Sequence, residues 1–287
     1  MILVAGGTGR LGALVVRRLA DESRQVRVLT RDPARAAAVA GPLVDVVRGD
    51  VREAASLAPA VAGATTVVSA VHGFAGPGGV TPRSVDRDGN ANLIDAAAAG
   101  GADVVLVSVV GAAPDHPIEL LRMKAAAEER LRRSDVKWTI VRATAFIELY
   151  VELMRRSAAH TGRPLVFGRG TNPVNFVSVT DVATVVAGAA TDSQRRGQVL
   201  EVGGPDNLTM DELAAFSQRE LGSNAKGPRH VPRAMLRTLA LTGRLRDTAI
   251  ARQAAAALIM DSIDMTFEPH PPAIGQVARV GQAHGPR

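Results

Sequence analysis

Glycines spaced three apart near the start of the chain are the first residues whose pattern points to chemistry. They lie in Gly6-Gly7-Thr8-Gly9-Arg10-Leu11-Gly12, between the apolar run Ile2–Ala5 and a helical stretch from Leu11 to Ala20. A strand that turns through such a loop into a helix makes a seat for a diphosphate. Gly6 permits the tight turn, Gly9 lets a pyrophosphate reach the backbone, and Gly12 lets the helix pack close to the sheet. The helix N-terminus adds free N–H groups and the positive end of its dipole. Thr8, Arg10 and Leu11 fill the rest of the loop and belong to the same expected cofactor-binding set.

The residue after the second apolar run selects between dinucleotides. A carboxylate about 20 residues past the glycines holds a ribose 2′-hydroxyl and repels a 2′-phosphate. Here the run ends Leu29-Thr30-Arg31. A guanidinium suits the phosphate, so NADP(H) is the expected cofactor. Arg10 and Arg35 are placed to assist. Asp32 is the competing carboxylate, but Pro33 follows it, and that order reads as a helix N-cap with proline at the first helical position. Asp50, with Val51 behind the third strand, has two readings: an adenine contact or another helix cap. Ala70 and Val71, at the end of the fourth strand, and Thr144, after the sixth, complete the expected cofactor contacts.

Those residues need a scaffold, and the apolar pattern supplies one. Runs at Ile2–Ala5, Gln25–Leu29, Val44–Val47, Thr66–Val71, Val104–Val110, Trp138–Val141 and Val199–Val202 read as buried strands. Helical stretches alternate with them: Leu11–Ala20, Pro33–Ala40, Glu53–Ala62, Asp86–Ala99, Pro117–Arg133 and Thr180–Ala190. The alternation predicts an α/β, doubly wound parallel Rossmann sheet over 1–145. A smaller, mainly helical lobe is expected over 146–268, interleaved with a return to the core at about 174–203. Thr209 and Glu212 have capping-box spacing and open a helix to about Leu221. Two more helices follow near Pro232–Leu241 and Asp247–Met260. The tail, 269–287, is rich in proline and glycine and is expected to be loosely ordered.

Composition narrows the classes. The 287 residues are 46% hydrophobic and contain no cysteine, which excludes disulfides, thiolate metal sites and a cysteine nucleophile. The six histidines show no close metal-ligand spacing, so no metal is expected. No apolar run suits a bilayer span and no signal peptide precedes the Gly6 motif, so a cytoplasmic protein without membrane contact is expected. The net charge is +6, and Lys226–Arg252 alone holds seven basic residues against Asp247. No aromatic residue interleaves them for base stacking, so the stretch reads as a solvated face and not as a specific nucleic-acid site.

Taken in order, these pieces resemble the NmrA-like, atypical branch of the short-chain dehydrogenase/reductases. The likeness runs through Gly6–Gly12, Arg31-Asp32-Pro33, Gly49-Asp50-Val51, Val85–Asn90, Val107–Gly111, Lys124–Glu128 and Trp138–Arg142. It continues through Asn175–Val179, Asp181-Val182-Ala183 and Gly203-Gly204-Pro205. The resemblance implies a Rossmann core, a small substrate lobe, NADP(H) binding and a small-molecule substrate. The wider superfamily uses Tyr-x-x-x-Lys, with the tyrosine as proton donor. Lys124 matches the lysine, which in that superfamily binds the nicotinamide ribose, and is the expected catalytic residue and a cofactor contact, but Leu120 stands at the tyrosine position, and Ser108 is followed by Val109. Two readings follow: an NADPH-dependent reductase of a quinone or other activated carbonyl or alkene that manages without the tyrosine, or a non-catalytic NADP(H) sensor.

Four further residues are candidate substrate contacts. Phe146 and Tyr150, the only tyrosine, are four apart on an expected helix and line a pocket or simply pack. His72 follows the fourth strand and is either a proton donor or a loop residue. Asn175 either meets substrate or turns the chain.

Overall fold

A computed structural model of the chain describes residues 1–74, 76, 79–159, 162–220, 227–243 and 248–268. Seven parallel strands form the central sheet: β1 (Ile2–Ala5), β2 (Val26–Thr30), β3 (Val44–Arg48), β4 (Thr66–Ser69), β5 (Asp103–Val109), β6 (Trp138–Ala143) and β10 (Gln198–Val202). Their order is β10-β6-β5-β4-β1-β2-β3. The order reverses between β1 and β4, and that switch point opens a crevice at the strand carboxyl ends.

Alternation along each strand divides the core in two. Ile2 and Val4 of β1, with Val26 and Val28 of β2, face helices α1 (Arg10–Asp21) and α6 (Val179–Thr191). Leu3 and Ala5, with Leu29, face α2 (Leu57–Val61), α3 (Asp88–Gly100) and α4 (Glu119–Arg132). Both faces are covered, which is why these strands read as unbroken apolar runs.

Some expected helices differ in kind. Pro33–Val39 is a 3₁₀ helix whose buried residues, Ala36 and Val39, stand three apart, as its three-residue turn requires. The stretch expected at Glu53–Ala62 divides into a 3₁₀ turn, Ala54–Ser56, and the short α2. Before α3 the chain makes a wide π turn, Pro82–Arg87, opened by a capping box between Thr81 and Ser84. That turn carries Asp86 into the crevice.

The lobe holds α5 (Ile147–Ala158), α7 (Met210–Glu220), α8 (Arg233–Thr242) and α9 (Thr248–Met260). Two small sheets join them. β9 (Pro173–Val177) lies between β7 (Ala145–Phe146) and β11 (Asn207–Thr209), and β8 (Leu165–Phe167) pairs with β12 (Arg229–Val231). β9 thus pairs outside the central sheet, while its last residue, Val177, and α6 pack into the core of that sheet. The capping box of α7 is formed: Thr209 Oγ1 accepts from the Glu212 N–H, and Glu212 accepts from the Thr209 N–H. In the basic stretch, Arg233 pairs with Asp261, and Arg252 donates to the Phe74 carbonyl, so these two are not free surface charges. Lys226, Arg244 and Arg246, the end of the α7 prediction at Leu221 and the tail 269–287 lie outside the described residues.

Candidate active site

The phosphate loop is packed backbone against backbone. Gly6 has φ +82°, and a Cβ there would lie 2.6 Å from the Ala70 carbonyl oxygen. A Cβ on Gly12 would lie 2.2 Å from the Gly6 carbonyl oxygen. No rotamer change relieves either clash. Gly9 is the N-cap of α1, and no side chain caps it. The N–H groups of the first turn therefore remain available to an anion. A diphosphate fits this cradle. Leu11 and Val51 are core residues, 6% and 7% exposed, so only their backbone faces the site. Thr8 is partly buried in the loop.

Arg31 is exposed just past β2 and has no hydrogen-bond or ion-pair partner among the described residues. Asp32 accepts from the Ala34 N–H at 3.1 Å and is the N-cap the sequence suggests. Asp50 caps no helix. Its Oδ1 accepts from the Arg52 backbone N–H at 3.0 Å, and Arg52 Nη2 lies 2.6 Å from Oδ2. Burial disfavours the Asp50 charge, but the hydrogen bonds and charge of Arg52, with the charge of Arg31, outweigh it and lower its pKa. Arg52 was not singled out from the sequence. Its one signal is its place two residues after an aspartate, the spacing of an Asx turn. Arg10 is not turned to this end, because Glu152 of α5 holds its guanidinium.

At the other end of the crevice lies a buried cluster. Lys124 Nζ is 3.0 Å from Asp86 Oδ1 and donates to the carbonyls of Val71 and Val107 at 3.1 and 3.0 Å. Lys124 is 3% exposed and Asp86 0%. The ammonium thus donates two hydrogen bonds to main-chain carbonyls and pairs by charge with Asp86, whose Oδ1 accepts no hydrogen bond among the described residues. In the structure, Lys124 ties the ends of β4 and β5 to the turn before α3. Asp86 Oδ2 also accepts from the Gly73 N–H at 2.8 Å, and His72 Nδ1 lies 4.0 Å from Oδ1. His72 is accessible, with 56% of its side chain exposed. Desolvation lowers its pKa, Asp86 opposes this and Lys124 adds to the lowering.

One turn beyond Lys124, on the same face of α4, Glu128 makes a second buried anchor. It is 1% exposed and accepts from Ser108 Oγ at 2.6 Å, Arg142 Nη2 at 2.7 Å and Arg132 Nη2 at 2.9 Å. Burial works against its charge, but hydrogen bonds from Arg142, Ser108 and Arg132 win and hold its pKa below the ordinary value. The Ser108 hydroxyl is committed here and not to a ligand.

The remaining candidates have the following surroundings. Asn175 is 1% exposed, and its side chain takes part in five hydrogen bonds, to Thr144, Gly204 (two), Asp206 and Asn207. It has no capacity left for a substrate, and Thr144 Oγ1 is spent on it. Phe146 precedes α5 as its N-cap and packs on the core below α1 and α6, so it does not share a helix face with Tyr150. Tyr150 stands edge-on to Phe176, its ring centroid 5.2 Å away, and donates to Met260 Sδ. It lines a cavity of about 90 Å³ inside the lobe with Met154, Val166 and Met260, and burial pushes its pKa up to about 12.

Gly6, Ala70, Val71, Lys124 and His72 are therefore brought together, with Arg31 and Asp50 at the far end of the same crevice. Residues 6–193 match a family described as NAD(P)H-binding. The chain belongs to this NAD(P)H-binding family. It is 31% identical over 220 residues to an NAD(P)H azoreductase of Xenophilus azovorans, across 75% of this chain and 72% of that one. It is 34% identical over 225 residues to a (4-alkanoyl-5-oxo-2,5-dihydrofuran-3-yl)methyl phosphate reductase of Streptomyces griseus, across 77% and 74%. The NADPH-dependent quinone oxidoreductase QOR2 of Escherichia coli, solved with NADPH, shares the fold at a TM-score of 0.73 and 23% identity, across 93% of this chain and 92% of that one. Membership of an NAD(P)H-binding family agrees with the resemblance carried by the sequence motifs. Among the described residues, no helix is long and apolar enough to cross a membrane.

Proposed function

We propose that this chain is an NADPH-dependent reductase of quinone-like small molecules. The observation that carries the reading is the uncapped start of α1 above Gly6–Gly12, with Arg31 standing free beyond β2. The first seats a diphosphate and the second suits a 2′-phosphate, while Asp50 is held by Arg52 and does not stand open to repel that phosphate. Bound NADPH supplies the hydride, and the chain's task is placement, exclusion of water and delivery of a proton. Lys124 contributes by fixing Val71 and Val107 beside the loop. The azoreductase and the furanone phosphate reductase support a reductase that acts on conjugated small molecules.

The test is the loss of NADPH absorbance when the protein meets a panel of quinones and azo dyes. Turnover with at least one quinone, faster with NADPH than with NADH, is the expected result. Tight NADPH binding without oxidation by any acceptor would replace this reading with the sensor.

A further inference from the structure

We propose that His72 donates the proton in this reduction and that Asp86 is the residue that positions it. The inference rests on the reductase reading above. Converting a quinone to its hydroquinone takes one hydride, which the cofactor supplies, and one proton, which must come from elsewhere. The chain has Leu120 where a tyrosine would give that proton.

Among the described residues at the β4–β5 end of the crevice, the following hydroxyl and ammonium groups are already committed. Ser69 donates to Asn90, Ser108 to Glu128 and Thr144 to Asn175. Tyr150 donates to Met260 inside the lobe. The Lys124 ammonium is buried, donates to the Val71 and Val107 carbonyls and pairs with Asp86. His72 remains, at the carboxyl end of β4 and open to solvent beside Ala70, against which the phosphate loop packs.

The structure also supplies what such a histidine requires. Asp86 is wholly buried and serves two neighbours of the ring at once. Its Oδ2 fixes the backbone of the next residue through the Gly73 N–H, and its Oδ1 faces Nδ1 of His72 at 4.0 Å. A proton on Nδ1 directed at this carboxylate leaves Nε2–H, on the far side of the ring, to be given away. Phe74 lies roughly parallel to the imidazole, with the ring centroids 6.1 Å apart. In the step, the Nε2–H bond breaks as an O–H bond forms on the reduced carbonyl, and neutral His72 then takes a proton from water.

The charged groups around the ring are Asp86 from the π turn, Lys124 from α4 and Arg252 from α9, which donates to the Phe74 carbonyl. Desolvation and Lys124 lower the His72 pKa against Asp86. The donor form is therefore lost as pH rises through a value below the ordinary imidazole range.

The experiment uses the full chain and its His72→Gln and Asp86→Asn variants. Quinone reduction is followed across pH, and the His72 ring is titrated by NMR, its signal identified by its loss in His72→Gln. The wild-type kcat/KM should fall as pH rises, and His72→Gln should lower it about 100-fold at acid pH, abolish that limb and recover with added imidazole. NADPH affinity of His72→Gln should be unchanged. Asp86→Asn should move the ring titration to lower pH, a readout that needs no turnover. A wild-type pH profile in His72→Gln with quinone reduction intact overturns the donor and leaves the reductase standing. A ring titration unmoved in Asp86→Asn overturns the positioning role. NADPH binding without quinone reduction by the wild type overturns both the donor and the reductase.

Discussion

The Lys124 ammonium lies 3.0 Å from the Asp86 carboxylate, and the two residues are 3% and 0% exposed. Each charge is tolerable in the interior only because the other is there. Lys124→Ala strands the carboxylate and should cost about 3–5 kcal/mol of stability. Adding Asp86→Ala should return part of that loss, because the stranded charge goes with it. Urea unfolding of the two single variants and the double variant measures the coupling; fully additive losses would show that the pair does not act as a unit.

Gly12→Ala and Gly9→Ala should fail in different ways. The Gly12 methyl would meet the Gly6 carbonyl at 2.2 Å, whereas the Gly9 methyl would meet it at 3.2 Å. Gly12→Ala should lower stability by about 3 kcal/mol. Gly9→Ala should change the thermal midpoint little and instead weaken NADPH by obstructing the approach of its diphosphate. Melting curves and calorimetric titrations on both variants separate the effects.

Arg31→Ala should weaken NADPH about tenfold, near 1.4 kcal/mol, and leave NADH almost unchanged. Equal losses for both cofactors would remove Arg31 from the 2′-phosphate site.

Glu128 gives stability a defined acid limb. Its folded pKa is below the ordinary value of 4.5, so its contribution is complete above that value and is lost as pH falls from there through the folded pKa. Glu128→Gln should be less stable at neutral pH by about 3 kcal/mol and show a shallower decline between pH 5 and 3 (roughly the carboxylate range). Denaturant midpoints taken across that range test both parts.

Tyr150→Phe should be mild. It removes one donation to a thioether, a weak acceptor, and keeps the edge-on contact with Phe176. Stability should change by less than about 1 kcal/mol and turnover by less than a few-fold. Abolished turnover would bring the lobe cavity into the chemistry.

Much of the core was legible because its signals are local. The run Ile2–Ala5 is β1 residue for residue, and the Thr209/Glu212 spacing opens α7 as expected. The site was legible where one segment makes it, as in Gly6–Gly12. Asp86 was not, although it lies in a segment that matches the family. Its meaning comes from Lys124, His72 and Gly73, which other elements bring to it. The choice between the two readings of Asn175 was not legible for the same reason, since three of its partners lie beyond residue 203. The strands β8 and β12 are three residues each, too short for alternation to declare them.

The chain passes between the sheet and the lobe three times: at Thr144, at Ser178 and through 203–206. Each passage is tied. Asn175 bonds Thr144 and Gly204, and Glu148 accepts from the Ser178 hydroxyl and the Val179 N–H. The lobe is consequently no cassette. A single cut cannot release it, and a lobe transplanted from a relative would have to bring matching partners for Asn175 and Glu148 at all three seams. New substrates are reached more readily by replacing side chains within this lobe than by exchanging it.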